Sequence, residues 1–219
     1  MGTYLSIFIY LFNYKNMENF ILNYNNIHPK AKEILKDEFY WDLTNPNSPF
    51  SINRISNSFQ EFEEWRREHS SEDAIDFLPV WDENGFIFDR DKTDVQSIEN
   101  FCDMHYQYQK QMLQQYFEMM KSANIGDQLS EEEQNEGIEE TARQQGITML
   151  KEQDDKIISA GFGQFILEGK IDSALKIATE KAIERQLNPF VIAAFHDEDF
   201  QHQRKRDLKQ LFSDLNEIA

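Results

Sequence analysis

The amino-acid sequence predicts a mainly α-helical protein, a bundle of about six to seven helices with a small β-hairpin near residues 77–88. Apolar residues recur at spacings of three and four over most of the chain, as one face of a helix requires. Only 8 Gly and 5 Pro interrupt the 219 residues, and several of them stand where helices are expected to begin or end. With 40% apolar and 13% aromatic residues, the chain has enough material for one substantial core.

The predicted helices begin and end at recognisable signals. Pro29 suits a first helical turn, and Ser58 with Glu61 forms the pattern of a capping box. Ser130, followed by three glutamates, suits the N-terminus of an exposed helix. The longest helix is expected over residues 94–122, which contain neither Pro nor Gly. The other helices are predicted over residues 28–39, 58–69, 154–167, 172–186 and 199–218.

Residues 77–88 carry the strand signal. Two apolar runs, at 77–81 and 86–88, flank a turn that contains Asn84 and Gly85, residues that tolerate positive φ. This pattern predicts the small hairpin.

We expect a single domain over residues 17–219, with one candidate internal boundary near 124–140. The apolar run at residues 4–12 is half of what a bilayer crossing needs, and it lacks the flanking residues of a signal peptide. Two interpretations of residues 1–16 stand side by side: a packed segment, or a tail that precedes a true start at Met17.

The single cysteine, Cys102, lies in an apolar helical pattern and is predicted to be a buried, inert thiol. Together these features predict a cytoplasmic protein.

The formal net charge of −18 is concentrated in two blocks of the sequence. Residues 58–103 carry fourteen acids against four bases, and residues 127–140 carry seven acids against none. A phosphate backbone and an anionic membrane surface both require clustered Lys and Arg, so we expect neither nucleic acid nor membrane as a partner. The basic cluster 204–206 with Lys209 is interpreted as a solvated helix face, because acids surround it.

Acidic blocks of this kind complement a basic protein surface, and such complementarity accelerates encounter and selects partners. A basic protein is therefore the predicted partner. The alternative is that the acidity only keeps the protein in solution. The candidate partner-binding residues are Glu61, Glu64, Glu68, Asp73 and Asp76 in the first block and Glu131, Glu132, Glu133 and Glu136 in the second.

Chemistry-bearing motifs are sparse. His196, Asp199 and His202 place two imidazoles and a carboxylate within seven residues, which makes them candidate metal ligands. However, the chain has no Glu-x-x-His pair of the kind that dimetal helical bundles use. Phosphate-binding glycine loops and a nucleophile elbow are also missing from the sequence, so no cofactor is predicted. A metal-dependent hydrolytic enzyme remains the alternative function.

Two stretches of the chain carry a family resemblance. The first is IHPKAKEILKDEFYWD at residues 27–42 with Ser-Pro-Phe at 48–50. The second is DKIISAGFGQFILEGKID at 155–172, continued by Ala-Ile-Glu-Arg-Gln at 182–186 and by Pro189. They resemble the YfeS-like family of uncharacterised bacterial proteins. Residues 51–54, Ser-Ile-Asn-Arg, depart from the Gly, Asn and Asp-rich stretch that follows Pro-Phe in that family.

The resemblance implies no activity and no catalytic residues, since the family has none established. Small acidic proteins of this kind look similar to immunity proteins that neutralise basic toxins. The leading hypothesis is thus an acidic protein-binding module, with immunity-type inhibition as its specific form. A metal-dependent hydrolase and a structural or regulatory helical domain are the alternatives.

Overall fold

The computed structural model describes residue 22 and residues 26–51, 58–79, 86–122, 130–195 and 197–218. Within these ranges the protein is helical and has no strand, which confirms the mainly α class. Residues 1–16, for which the sequence leaves two interpretations, lie outside the described ranges. The α-helices are α1 (Pro29–Ile34), α2 (Ser58–Glu68), α3 (Val95–Ser122), α4 (Glu131–Glu168), α5 (Ser173–Gln186), α6 (Pro189–Ala193) and α7 (Glu198–Glu217), with the 3-10 helices η1 (Glu38–Tyr40) and η2 (Ala74–Phe77).

Helix α4 is 38 residues long and therefore spans about 57 Å. It begins at a capping box: Ser130 Oγ accepts a hydrogen bond from the Glu133 amide, and the Glu133 carboxylate accepts one from the Ser130 amide. The helix ends at Gly169, whose φ of 70° is the left-handed conformation that favours glycine. The helix start predicted at Ser130 is confirmed.

The C-terminal half of α4 lies at the centre of the main core. Helices α1, α2 and α5 pack against α4, and α7 packs against α5. The amide of His28 donates to the carbonyl of Ile166 at 2.8 Å, which ties the chain ahead of α1 to the end of α4. We call this assembly the body. Its largest fully buried apolar side chains are Tyr40, Phe62, Phe162, Phe165, Leu35, Ile166, Leu175 and Ile183.

The N-terminal half of α4 pairs with α3. Cys102 lies against Gly146, and Lys110 forms an ion pair with Glu139, so the two helices run antiparallel. We call residues 106–122 of α3 and 131–146 of α4 the arm. A second, smaller core joins the arm to the body and consists of Phe88, Ile98, Phe101, Cys102, Ile147, Leu150 and Val191.

Cys102 is buried in this second core, as the sequence predicted. Burial raises the pKa of the thiol to about 12, with Asp103 and Glu99 adding to the effect. The thiol therefore stays protonated at neutral pH and behaves as an apolar side chain.

The hairpin predicted at residues 77–88 is wrong for the part of it that the structure describes. Phe77 ends η2, and residues 86–88 are not in a strand. The side-chain amide of Gln153 replaces a partner strand: its Oε1 accepts from the Phe88 amide at 2.7 Å, and its Nε2 donates to the Phe86 carbonyl at 2.9 Å. The predicted turn at Asn84 and Gly85 lies outside the described residues.

Two helix predictions also change. The helix expected to begin at Ser130 and the helix expected over 154–167 are one element, α4, which is longer than the 28-residue α3. The helix expected over 28–39 ends at Ile34, because the Asp37 carboxylate accepts from the Phe39 amide and begins η1 instead. The described part of the candidate boundary, residues 130–140, is therefore the N-cap and the first turns of one continuous helix.

None of the helices described here combines the length and the apolar character that crossing a membrane demands.

The two arm glycines of α4 give a matched test of the packing between α3 and α4. A Cβ at position 146 would lie 2.6 Å from the Cys102 carbonyl oxygen, a backbone atom that cannot move away alone, whereas a Cβ at 137 would meet nothing within 4 Å. We expect Gly146→Ala to lower the free energy of unfolding by about 1–3 kcal/mol. Gly137→Ala should raise it by about 0.5–1 kcal/mol. Urea denaturation of both variants measures the difference, and equal effects would contradict the close approach of α3 to Gly146.

Candidate functional site

The predicted partner-binding residues of the first acidic block lie on the exposed side of α2 and in the turn that follows it. Glu61, Glu64 and Glu68 recur at spacings of three and four, so they share one face of α2, and all three are exposed. Asp73 and Asp76 flank the start of η2 and are also exposed. The structure therefore places the five predicted residues of this block at the surface of the body.

Basic side chains interleave with this first block. Lys156 of α4 lies 2.9 Å from Glu61, and Arg67 lies 2.6 Å from the neighbouring Glu63. Arg66 contacts Glu168 at 2.5 Å and also donates to the carbonyl of Glu72. The charge of the first block is thus partly compensated within the body.

The second acidic block lies on the arm, where α4 packs against α3. Glu132, Glu136 and Glu140 recur every four residues and are exposed. Glu133 has a structural role, since the Ser130 amide and hydroxyl hold its carboxylate in the capping box and lower its pKa. The backbone of Glu131 is the first turn of α4, while its side chain is outside the described set.

Glu139 marks one edge of this surface. Its carboxylate accepts a hydrogen bond of 2.5 Å from the Tyr106 hydroxyl and forms an ion pair with Lys110. These contacts lower the pKa of Glu139 and raise that of Lys110, each through its hydrogen bond with the other. Glu139 is therefore ionised at neutral pH.

A shallow, open groove follows the exposed side of α4 in the arm, and all of its lining residues belong to that helix. Arg143 is the one cation among its lining residues. We call its carboxylates the acidic face. The groove is lined by Glu132, Asn135, Glu136, Glu139, Glu140 and Arg143.

The predicted residues on α2 lie far from those on the arm. Lys156, which pairs with Glu61, and Glu136 are 20 residues apart on the same helix, so they are separated by about 30 Å along its axis. Glu61 and Glu136 therefore belong to different parts of the surface.

The metal ligands suggested by the sequence are not assembled into a described site. Asp199 and His202 are exposed in the first turns of α7, where Asp197 caps the helix by accepting from the Phe200 amide. His196 lies outside the described residues. Among the residues the structure describes, no three His, Cys, Asp or Glu side chains are grouped closely enough to hold a metal ion.

A buried polar network inside the body was not predicted from the sequence. Asp154 of α4 and Arg185 of α5 are each 1% exposed and form an ion pair at 2.6 Å. Gln186 donates to the second carboxylate oxygen of Asp154 at 2.8 Å. Arg185 also donates to the carbonyls of Arg90 and Lys92, which fixes the loop before α3. Burial raises the pKa of Asp154, and the charge of Arg185 together with the hydrogen bonds from Arg185 and Gln186 opposes that rise.

Arg204 extends this network into α7. The interpretation of residues 204–206 as a solvated face is wrong for Arg204, which is buried. Its guanidinium donates to the side-chain oxygens of Gln186 at 2.7 Å and Asn47 at 2.8 Å. Asn47 in turn donates to Asp207. The sequence does contain a signal for this burial. Arg204 is spaced by four, seven and eleven residues from the buried Leu208, Leu211 and Leu215, so it lies on the same face of α7.

A cavity of about 30 Å³ adjoins Arg204 between α4, α7 and residues 47–51. It is the size of one water molecule. Within the described part of the chain, Arg204 Nε and Ser159 Oγ are buried beside it without a hydrogen-bond partner. Its lining includes one arginine and the two acids Glu152 and Asp155, a set suited to water rather than to an anion.

Comparisons with family models, with curated proteins and with solved structures return no match to this chain. The resemblance to the YfeS-like family stays a prediction. In the structure, its two stretches pack against each other, as the rings of Tyr40 and Phe162 at 5.8 Å show.

The Asp154–Arg185 ion pair offers a test of the network. Removing one partner leaves a buried, uncompensated charge, so Asp154→Leu and Arg185→Met should each lower the free energy of unfolding by about 3–5 kcal/mol. The double variant should recover most of that loss. As a control, Asp91→Asn breaks the exposed ion pair with Lys181. This variant should lower the free energy of unfolding by less than about 1 kcal/mol. Denaturant unfolding of the four variants and of the wild type measures these effects. Additive losses in the double variant would argue against a coupled pair.

Proposed function

We propose that this protein is a binding module that presents the acidic face of the arm to a basic protein. The observation that carries the proposal is the row formed by Glu132, Glu136 and Glu140 on a helix that is already folded. A folded helix loses little conformational freedom when a partner binds. Basic side chains that approach along the groove meet carboxylates at regular spacing.

Charge distribution favours the arm over the body as the contact surface. The carboxylates of the first block are interleaved with Arg66, Arg67 and Lys156, whereas the acidic face has Arg143 within its groove and Lys110 at its edge. A concentrated charge of one sign attracts an oppositely charged protein and raises its association rate. The same charge repels phosphate backbones and anionic lipid surfaces, which supports a protein partner.

The specific form that we propose is immunity-type inhibition, in which the acidic face occupies the basic active surface of a toxin. Two properties support this form: the strong negative charge of a small chain, and the separation of the acidic arm from the body. An inhibitor of this kind needs no catalytic group of its own.

Charge neutralisation tests the choice of surface. Glu132→Gln, Glu136→Gln and Glu140→Gln combined should weaken binding of a fluorescent lysine-rich peptide by about tenfold at low salt, because three exposed charge contacts are lost. Fluorescence anisotropy at low and at physiological salt measures the change. Wild-type binding should itself weaken as salt rises.

The matched control removes three exposed carboxylates from the first block by Glu64→Gln, Glu68→Gln and Asp76→Asn. This variant has the same net charge as the arm variant and should keep wild-type affinity. Equal losses in both variants would show that only net charge matters, and a larger loss in the control would move the site to the body. A pull-down from the native host with the same three proteins identifies the partner.

A further inference from the structure

The arm also carries a row of exposed apolar side chains on α3. Tyr108, Met112, Tyr116 and Met119 are 47–59% exposed. Their spacings of four, four and three place them on one face of the helix. We call them the apolar row. Four large apolar side chains in line are more than the scattered exposed residues that surfaces ordinarily carry.

The apolar row continues a face of α3 that the body covers. Ile98, Phe101 and His105 lie on the same face one to three turns earlier, and all three are buried. The ring of Phe86 lies 5.8 Å from that of His105 and 5.3 Å from that of Tyr108, at the point where the exposure of this face rises among the described residues. The apolar face thus runs on beyond the body that buries its first half.

The apolar row and the acidic face lie on different sides of the arm. Lys110 contacts Glu139 at the edge of the acidic face. Residues two apart on a helix point about 200° apart, so Tyr108 and Met112 point away from Lys110. The arm therefore has one acidic side and one side that is apolar.

The charges of the residues near the apolar row indicate what kind of partner can cover it. Four of the eight residues between the members of the row are glutamines, and the charged residues of the arm part of α3 are Lys110, Glu118 and Lys121. A basic partner finds a single carboxylate, that of Glu118, along this part of α3. Two copies of a chain with a net charge of −18 repel each other through most of their surface, whereas this side lets them meet with their acidic faces turned outward.

We propose that a second copy of this chain covers the apolar row, with two arms packed face to face about a twofold axis as a four-helix arrangement. A large side chain has about 200 Å² of surface. The four members of the row are each about half exposed, so together they leave roughly 400 Å² of apolar surface uncovered on each copy. A stable interface needs about 800 Å² from each partner, so the row supplies about half. The exposed Gln111 and Gln115, three and seven residues after Tyr108 and so on the same side of α3, add to this area. A self-complementary surface on a twofold axis is the commonest form of homodimer contact.

The test compares Tyr116→Glu with Ile177→Glu, which changes a residue of equal exposure, 50%, on α5. Sedimentation velocity and light scattering at about 100 µM should give twice the chain mass of 26.0 kDa for the wild type and for Ile177→Glu. Tyr116→Glu should give the single-chain mass, since the substitution would bury a charge in an apolar contact. Circular dichroism of each variant shows that it remains helical.

A second variant places a thiol in the middle of the apolar row. Met112→Cys should form a disulfide with its counterpart under mild oxidation, whereas Ile177→Cys should stay single, and Cys102 is buried in both proteins. A wild-type monomer at this concentration, a dimer that survives Tyr116→Glu, or equal crosslinking at both positions would overturn the proposal.

The effect of salt distinguishes the dimer contact from the binding of a basic partner. High salt screens the repulsion between two acidic copies and should preserve or strengthen the dimer. It should weaken binding of a basic partner to the acidic face. A dimer that dissociates at high salt would point to a charge contact and contradict the apolar row as its interface.

Discussion

The ion pair between Asp154 and Arg185 is the contact on which the rest of the structure depends. It lies near the middle of α4, where the body begins, and neither side chain has access to water. Two charges removed from water stay together only when their remaining hydrogen bonds are satisfied. Gln186 and two loop carbonyls satisfy them, and the same contacts fix α4, α5 and the loop that leads to α3 in one geometry.

Because of this geometry, one half of α4 is anchored in the body and the other half carries the acidic face. The C-terminal half of α4 is enclosed by the body, while its N-terminal half has α3 as its partner and projects the acidic face. The capping box at Ser130 stabilises the end of the arm farthest from the body. A charged surface held on a supported helix suits encounter with a basic protein better than the same charges in a flexible chain.

Periodicity and capping signals predict the helical class, the start of α4 and the burial of Cys102, because these depend on residues close in sequence. Local signals do not predict that α4 is one helix, since Gly137 and Gly146 weaken the helix propensity there. The close approach of Cys102 to Gly146 is a long-range contact that the sequence does not reveal. The hairpin was wrong because Gln153, 65 residues from Phe88, satisfies the backbone there. The buried network depends on similar long-range pairs, although the phase of Arg204 with three buried leucines was a readable signal.

The proposed function requires that the acidic face is a folded helix before any partner binds. Hydrogen–deuterium exchange of the free protein, followed by mass spectrometry, measures whether it is. Residues 150–168 should exchange slowest, because the body and the buried ion pair cover them, and residues 131–146 should be protected to a smaller but clear extent. Exchange of 131–146 at the rate of an unfolded peptide would contradict the claim and leave the carboxylates without a common surface.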